Sequence, residues 1–393
     1  MGDAIDLVVI PFHDWRKVQR EGTRTRDAHI IKRCIAHPGV GRVVIVNRPM
    51  SLPEMVYKRA KWRTEGTLMA ARHNSQLVQI DERAYVIDFR AGDLITPVFK
   101  RKNWFFSAYI KTGFLKAIDK YLRRLNITEF DTISFSIFAA ALSEQLGGRR
   151  KSFDAWDNFL RFAGHERYYE GFRQAYRSYA EHCDFWSTNS VSNQEFYEAE
   201  FGVKDCQLIR NGVDIKLFGQ PHDIPHDLKS LPRPIAGVGA KVTHLLDTDL
   251  INRMVASNPD VSFVLVGQKL NKDIFKRIRK AKNFHYLGDK SYHDYIAYVR
   301  AFDVCLIPYV VGDREHGQDT IKFYEYLAAD KPIVTTANEG MTDEYENVFV
   351  AADHEEFCAM IPRALAAPPV KNDLPETLTW RHKADQLLAP LLR

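Results

Sequence analysis

The chain has 393 residues, 45% of them hydrophobic and 27% charged, with a formal net charge of +5. That is globular material sufficient for two domains, and it excludes a disordered chain. A run of about 18 apolar residues, the length a membrane span needs, is absent, and the opening Met1-Gly2-Asp3-Ala4-Ile5-Asp6 lacks the basic and apolar regions of a signal peptide, so a cytoplasmic, non-integral protein is expected.

Cys34, Cys183, Cys206, Cys305 and Cys358 lie far apart and form no Cys-x-x-Cys pair, which argues against a disulfide framework and a zinc cage. The basic residues crowd toward the N-terminal half and point to an acidic partner there, although so small a net charge makes nucleic acid the weakest choice.

In chain order, apolar runs at Asp6–Phe12, Arg42–Asn47, Tyr85–Phe89, Thr132–Phe138 and Asp184–Thr188 alternate with segments of helical spacing, the first of these helices starting at Asp27. Such alternation predicts a parallel sheet covered by helices. Gly219–Pro234 is proline-bearing and without periodicity, and reads as an interdomain linker. A second strand series follows at Pro234–Val238, Val261–Val266, Phe284–Leu287, Val304–Pro308, Ile333–Thr335 and Val348–Ala351. The expected class is α/β: two Rossmann-like domains, 1–218 and 232–377, facing a central cleft, with a C-terminal helix over 378–393 packing back on the first domain. Open sheets of this kind bind ligands at the carboxyl ends of their strands.

The most informative block runs from Asp303 to Thr336 and reads as strand, polar loop, short helix, strand. A helix N-terminus offers unpaired N–H groups and a positive dipole end, and so can hold a diphosphate without a metal. Lys322 in the first turn adds a full charge, and Glu325, one turn on, can accept hydrogen bonds from ribose hydroxyls. The same pair could equally be a solvated couple on an ordinary amphipathic helix. Asp247-Thr248-Asp249 has the letters of a metal-binding Asp-x-Asp but precedes a helix, and is read as its N-cap.

This block, Lys322-Phe-Tyr-Glu325-Tyr-Leu-Ala-Ala-Asp-Lys331-Pro-Ile-Val334, resembles the nucleotide-sugar motif of the GT-B glycosyltransferases of family 4 and their teichuronic-acid and exopolysaccharide relatives. Ile209–Asp214, Pro234–Ala240, Val264–Gln268 and Tyr286–Gly288 agree with that family in order. The resemblance is close over the C-terminal half and a matter of pattern in the N-terminal half. It implies a metal-independent hexosyltransferase that takes a nucleotide-sugar donor, UDP-hexose or UDP-uronate, as substrate and needs no cofactor. Gly239, Lys241, Gln268, Tyr309, Gln318, Lys322 and Glu325 would line the donor site. One departure stands out: Gly317 occupies the place where many retaining members carry a glutamate, so Asp319 or Gln318 would take over the sugar contact, unless Asp319 is a helix N-cap.

In the N-terminal half, Asp154 and Asp157 follow a strand, and their segment resembles both the teichuronic-type transferases and the xanthan-pathway glucuronosyltransferase family. Asp157 is the first candidate for the base that takes the acceptor proton, with loop capping as its alternative. The loop after the first strand carries His13, which could assist catalysis, and Arg16, Arg20, Arg24 and Arg26, whose guanidinium groups suit the pyrophosphate of a lipid-linked saccharide acceptor. Aromatics interleaved with cations from Phe99 to Lys116 suit peripheral contact with the inner face of the cell membrane, although core packing explains the aromatics equally well. The expected function is sugar transfer to a lipid-linked or polysaccharide acceptor in bacterial surface-polysaccharide assembly. A nucleotide-sugar epimerase of the same architecture and a noncatalytic sugar-nucleotide-binding protein are the alternatives.

Overall fold

The computed structural model describes residues 4–162, 164–312 and 319–393, and the chain divides into two compact units, residues 1–210 with 383–393 and residues 211–382. In the first unit the described strands are β1 (Ile5–Ile10), β2 (Val40–Val46), β3 (Met50–Ser51), β4 (Thr67–Ala71), β5 (Ser75–Asp81), β6 (Ala84–Ala91), β7 (Asp131–Ser134), β8 (Lys151–Asp154), β9 (Phe185–Thr188) and β10 (Gln207–Leu208). They form one sheet in the order β10-β9-β8-β7-β1-β2-β6-β5-β4, with β3 beside β6. All neighbours are parallel except β4 with β5 and β5 with β6.

The parallel strands are readable from sequence because both of their faces are covered, so a continuous apolar run replaces alternation: Leu7, Val8, Val9 and Ile10 of β1 are all buried. The hairpin β4–β5 escapes such reading because β4 is largely exposed and has no inward apolar run. The segment after β1 also differs from the expected loop. Asp14 caps a helix over Trp15–Glu21, its side chain accepting from the Lys17 N–H, and a second helix covers Arg26–Ala36.

The second unit holds β11 (Ile235–Gly239), β12 (Ser262–Val266), β13 (Phe284–Gly288), β14 (Val304–Ile307), β15 (Ile333–Thr336) and β16 (Val348–Ala351), in the all-parallel order β13-β12-β11-β14-β15-β16. This is the doubly wound arrangement in which the strand order reverses beside the first strand. Residues 219–234, read from sequence as a linker, belong to this unit. Leu228 is buried in its core, and Asp227 accepts a 2.7 Å hydrogen bond from Tyr298 Oη and pairs with Lys290 at 2.9 Å. Prolines and lost periodicity signal irregular backbone, and irregular backbone can still pack. The C-terminal helix covers Trp380–Leu388, and Arg150 of the first unit donates to the Pro390 carbonyl at 2.8 Å. No helix among the described residues is long and apolar enough to cross a membrane.

Candidate functional site

In the second unit the strand order reverses between β11 and β14, and the loops leaving these strands and β12 are stitched together there. The Val242 N–H donates to the Gln268 carbonyl at 2.8 Å, Val310 N–H to the Leu245 carbonyl at 2.9 Å, and Leu246 bridges to Tyr309. Lys241, Gln268 and Tyr309 therefore stand at one strand-end cluster. Gly239 ends β11, its N–H donating to Tyr326 Oη at 2.9 Å, and a Cβ there would come within 2.1 Å of Tyr295 Oη. The backbone can run under these two rings only without a side chain.

Tyr326 belongs to the helix Ile321–Ala328, which also carries Lys322 and Glu325. Glu325 is 3% exposed, and its Oε1 accepts a 2.9 Å hydrogen bond from Tyr292 Oη. The solvated pair that spacing alone allowed is thus absent. Burial raises the Glu325 carboxyl above its ordinary range, against the opposing pull of Lys322 and the Tyr292 hydroxyl. Asp319 is not the N-cap of this helix: that position is Thr320, and it makes no side-chain cap bond. Instead Asp319 accepts from the Asn211 N–H and, at 2.6 Å, from Tyr324 Oη, tying the segment before the helix to Asn211. Gln318 and Gly317 lie outside the described residues.

Burying Glu325 carries a cost in stability at neutral pH. Its folded-state value lies above the unfolded 4.5, so the group favours the fold below that pH and costs stability once pH rises through the folded value. Glu325→Gln keeps the acceptor for Tyr292 and removes the charge. Its thermal midpoint is expected to exceed the wild type's at pH 7 by the equivalent of roughly 0.5–2 kcal/mol, with the difference vanishing toward pH 4. Midpoints measured across pH check this, and parallel curves would refute it.

In the first unit the order reverses between β1 and β7, whose ends meet where Phe135 N–H donates to the Ile10 carbonyl at 2.9 Å. His13 sits just past β1. Its backbone N–H donates to Asp27 Oδ2 at 2.7 Å, and its ring Nδ1 lies 3.1 Å from Asp27 Oδ1. Burial alone would raise the Asp27 carboxyl, but His13 and the Thr25 hydroxyl, 2.6 Å away, outweigh it and hold the group at about 2. The result is a carboxylate-oriented imidazole whose Nε2 points away from Asp27. The His13 ring lies 6.1 Å from the Trp156 ring, so the loops after β1 and β8 meet and bring Asp157 into the same neighbourhood. Asp157 is half-buried, and its carbonyl accepts from Tyr176 Oη and Tyr197 Oη at 3.0 and 3.1 Å.

The four arginines do not form one cluster. Arg26 is buried in a two-pronged pair with Asp154, at 2.7 and 3.0 Å. Arg16, also buried, donates to the Trp62 and Arg48 carbonyls and to Asp14. Both are corrected from ligands of an acceptor pyrophosphate to structural cations, since their donors are taken up inside the unit. Arg24 pairs with Glu21, and Arg20, beside the same carboxylate, remains exposed.

Residues 241–367 match the Glycosyl transferases group 1 family, and the whole chain overlays on solved structures of the GT-B fold. The chain has the GT-B fold, and its residues 241–367 are similar to the group 1 glycosyltransferases. Sucrose-phosphate synthase from Thermosynechococcus elongatus is similar at a TM-score of 0.67 and 14% identity, over 99% of this chain and 96% of that one. An alpha,alpha-trehalose-phosphate synthase (UDP-forming) from Burkholderia vietnamiensis is similar at 0.60 and 13%, over 99% and 95%. An E. coli structure described as trehalose-6-phosphate bound with UDP-2-fluoro glucose is similar at 0.66 and 13%, over 99% of each. In sequence, the GT-B protein is 25% identical over 172 residues to TuaH of Bacillus subtilis, provisionally named a teichuronic acid biosynthesis glycosyltransferase. That match spans 42% of this chain and 43% of the relative, less than half the relative's length.

Sequence reasoning singles out neither Asp27 nor Tyr292. Tyr292 and Tyr295 stand three residues apart, a spacing that could have revealed a tyrosine face turned to the helix Ile321–Ala328. For Asp27 no local signal exists, because its partner is fixed by the fold.

Proposed function

We propose that this GT-B protein transfers a sugar from a nucleotide diphosphate sugar, UDP-hexose or UDP-uronate, to a lipid-linked or polysaccharide acceptor in bacterial surface-polysaccharide assembly. The observation that carries the reading is Glu325 buried one turn after Lys322, on a helix that belongs to the strand-reversal cluster of the second unit. The helix N-terminus and Lys322 meet the diphosphate charge that grows as the anomeric bond breaks. Glu325, desolvated and raised in energy, gains hydrogen bonds from the ribose hydroxyls. In the first unit, His13 receives the proton of the acceptor hydroxyl as its oxygen bonds to the anomeric carbon, and Asp27 steadies the imidazolium. Asp157, beside Trp156, contacts the acceptor.

The UDP assignment draws support from the fold shared with the E. coli structure that holds UDP-2-fluoro glucose, and the acceptor class from the name of the Bacillus subtilis relative. Thermal stabilisation by UDP-, GDP- and ADP-sugars tests the donor site. One nucleotide class at about a hundred times its Kd is expected to raise the midpoint by about 5 °C or more, and Lys322→Ala and Glu325→Ala each remove the shift. No shift with any donor would sink the reading. A shift without transfer to any acceptor would favour a binding protein, and conversion of the donor alone an epimerase.

A further inference from the structure

The segment from Phe99 to Lys116 does not present its aromatics as a single outer face. Trp104, Tyr109 and Phe114 are buried in the core of the first unit, as packing requires. The exposed apolar side chains come earlier, where Leu94, Ile95, Val98 and Phe99 stand out, Phe99 being 78% exposed. Ile95, Val98 and Phe99 fall at i, i+3 and i+4 and so share one side of the short helix Thr96–Lys100. A second exposed pair, Val56 and Tyr57, the latter 89% exposed, ends the helix Leu52–Lys58.

These two helices are entered from neighbouring strand ends. β3 pairs with the end of β6, Met50 opposite Arg90 and Ser51 opposite Ala91, so the chain enters one helix from Ser51 and approaches the other from Ala91. Arg48 ties the region together: it holds Glu54 of the first helix at 2.6 and 2.8 Å and lies 5.1 Å over the ring of Phe105, just beyond the second. Cations follow both apolar tips in sequence, and of these Lys61 lies 3.9 Å from the exposed Glu65. Arg59, Lys61, Arg63, Lys100, Arg101 and Lys116 are exposed, while the sequence from Leu94 to Lys116 has no acidic residue. Asp93, just before it, is held by Lys111 at 2.9 Å.

From this juxtaposition we propose that the tips Val56–Tyr57 and Leu94–Phe99 form a docking surface for an anionic lipid bilayer. The apolar side chains enter the boundary between headgroups and acyl chains, and the neighbouring cations meet the lipid phosphates. A second copy of the chain is the poorer occupant. A two-fold contact would set the same cations against one another, whereas an anionic surface answers the apolar and the charged parts together. The proposal deepens the reading that the acceptor is lipid-borne, but binding to lipid is measured without reference to transfer.

The test is co-sedimentation of the full chain with phosphatidylcholine vesicles that contain or lack phosphatidylglycerol. Wild-type protein is expected to bind the anionic vesicles and to be released by salt. Val98→Ser with Phe99→Ser is expected to lower the partition coefficient about tenfold or more, and Lys100→Glu with Arg101→Glu to abolish the preference for anionic lipid. Thermal midpoints and the donor-induced shift stay at wild-type values, because every substituted side chain is exposed. Wild-type protein left in the supernatant at low salt would overturn the proposal. So would an apolar variant that binds as well as wild type, or a wild-type dimer that this variant dissociates, which would assign the face to self-association. Vesicle binding without any donor-induced shift would instead sink the transfer reading and leave this one standing.

Discussion

His13→Ala is expected to lower the transfer rate by about 10²–10⁴-fold, the range that a positioned general base contributes, while the donor-induced thermal shift is retained. The hydrogen bonds to Asp27 are what position His13 for this role. With the His13 backbone N–H held by Asp27 Oδ2 and its ring Nδ1 beside Asp27 Oδ1, the carboxylate favours the proton on Nδ1, so Nε2 is the nitrogen that accepts. Asp27 keeps its charge at every pH at which transfer would be assayed. Its folded value of about 2 lies below the unfolded 3.8, so the stability it contributes is present above pH 3.8 and is lost only as pH falls toward 2. Asp27→Asn preserves the shape but offers an amide where Nδ1–H needs an acceptor anion, and a loss of about tenfold or more in rate is expected. Steady-state rates of His13→Ala, Asp27→Asn and Asp157→Asn on one acceptor decide the matter. A large loss in Asp157→Asn alone would return the base to the carboxylate that sequence favours.

The way the two candidates arise also explains what sequence could and could not reveal. Strands such as Val304–Ile307 and Ile333–Thr336 announce themselves because a parallel strand covered on both faces is a continuous apolar run. The Lys322–Glu325 pair is legible for a similar reason, since one turn of helix brings both residues together whatever the rest of the chain does. What sequence could not give is the company a charge keeps at long range. Tyr292 reaches Glu325 from another helix, and Asp27 acquires its role only when the segment after β1 folds back toward His13. The basic loop misleads for the same reason. A run of arginines near the end of a strand looks like a phosphate site until the fold brings up a carboxylate 128 residues away.

That distant carboxylate is the ground for the largest expected effect on stability. Arg26 donates through Nε and Nη2 to the two oxygens of Asp154, both side chains all but sealed from water, at 1% and 0% exposure. The Ser187 hydroxyl adds a 2.8 Å bond to Asp154 Oδ1. Arg26→Ala leaves a buried carboxylate with one neutral donor in place of a bidentate cation. Removing one partner of such a pair costs about 3–5 kcal/mol, a fall in midpoint of about 6–20 °C for a unit of this size. Arg26→Lys restores charge but not the planar fork and falls between the two. Arg26→Met with Asp154→Leu removes both charges and is expected to recover most of the loss, because a well-packed apolar pair no longer bears the desolvation of either ion. An acceptor-binding Arg26 would behave in the opposite way. Arg26→Ala would then melt with the wild type and show only a raised KM for acceptor, and the double variant would do no better than the single. Chemical denaturation of the four proteins, read beside acceptor KM, separates a cation that ties the helix Arg26–Ala36 to the end of β8 from one that holds a substrate.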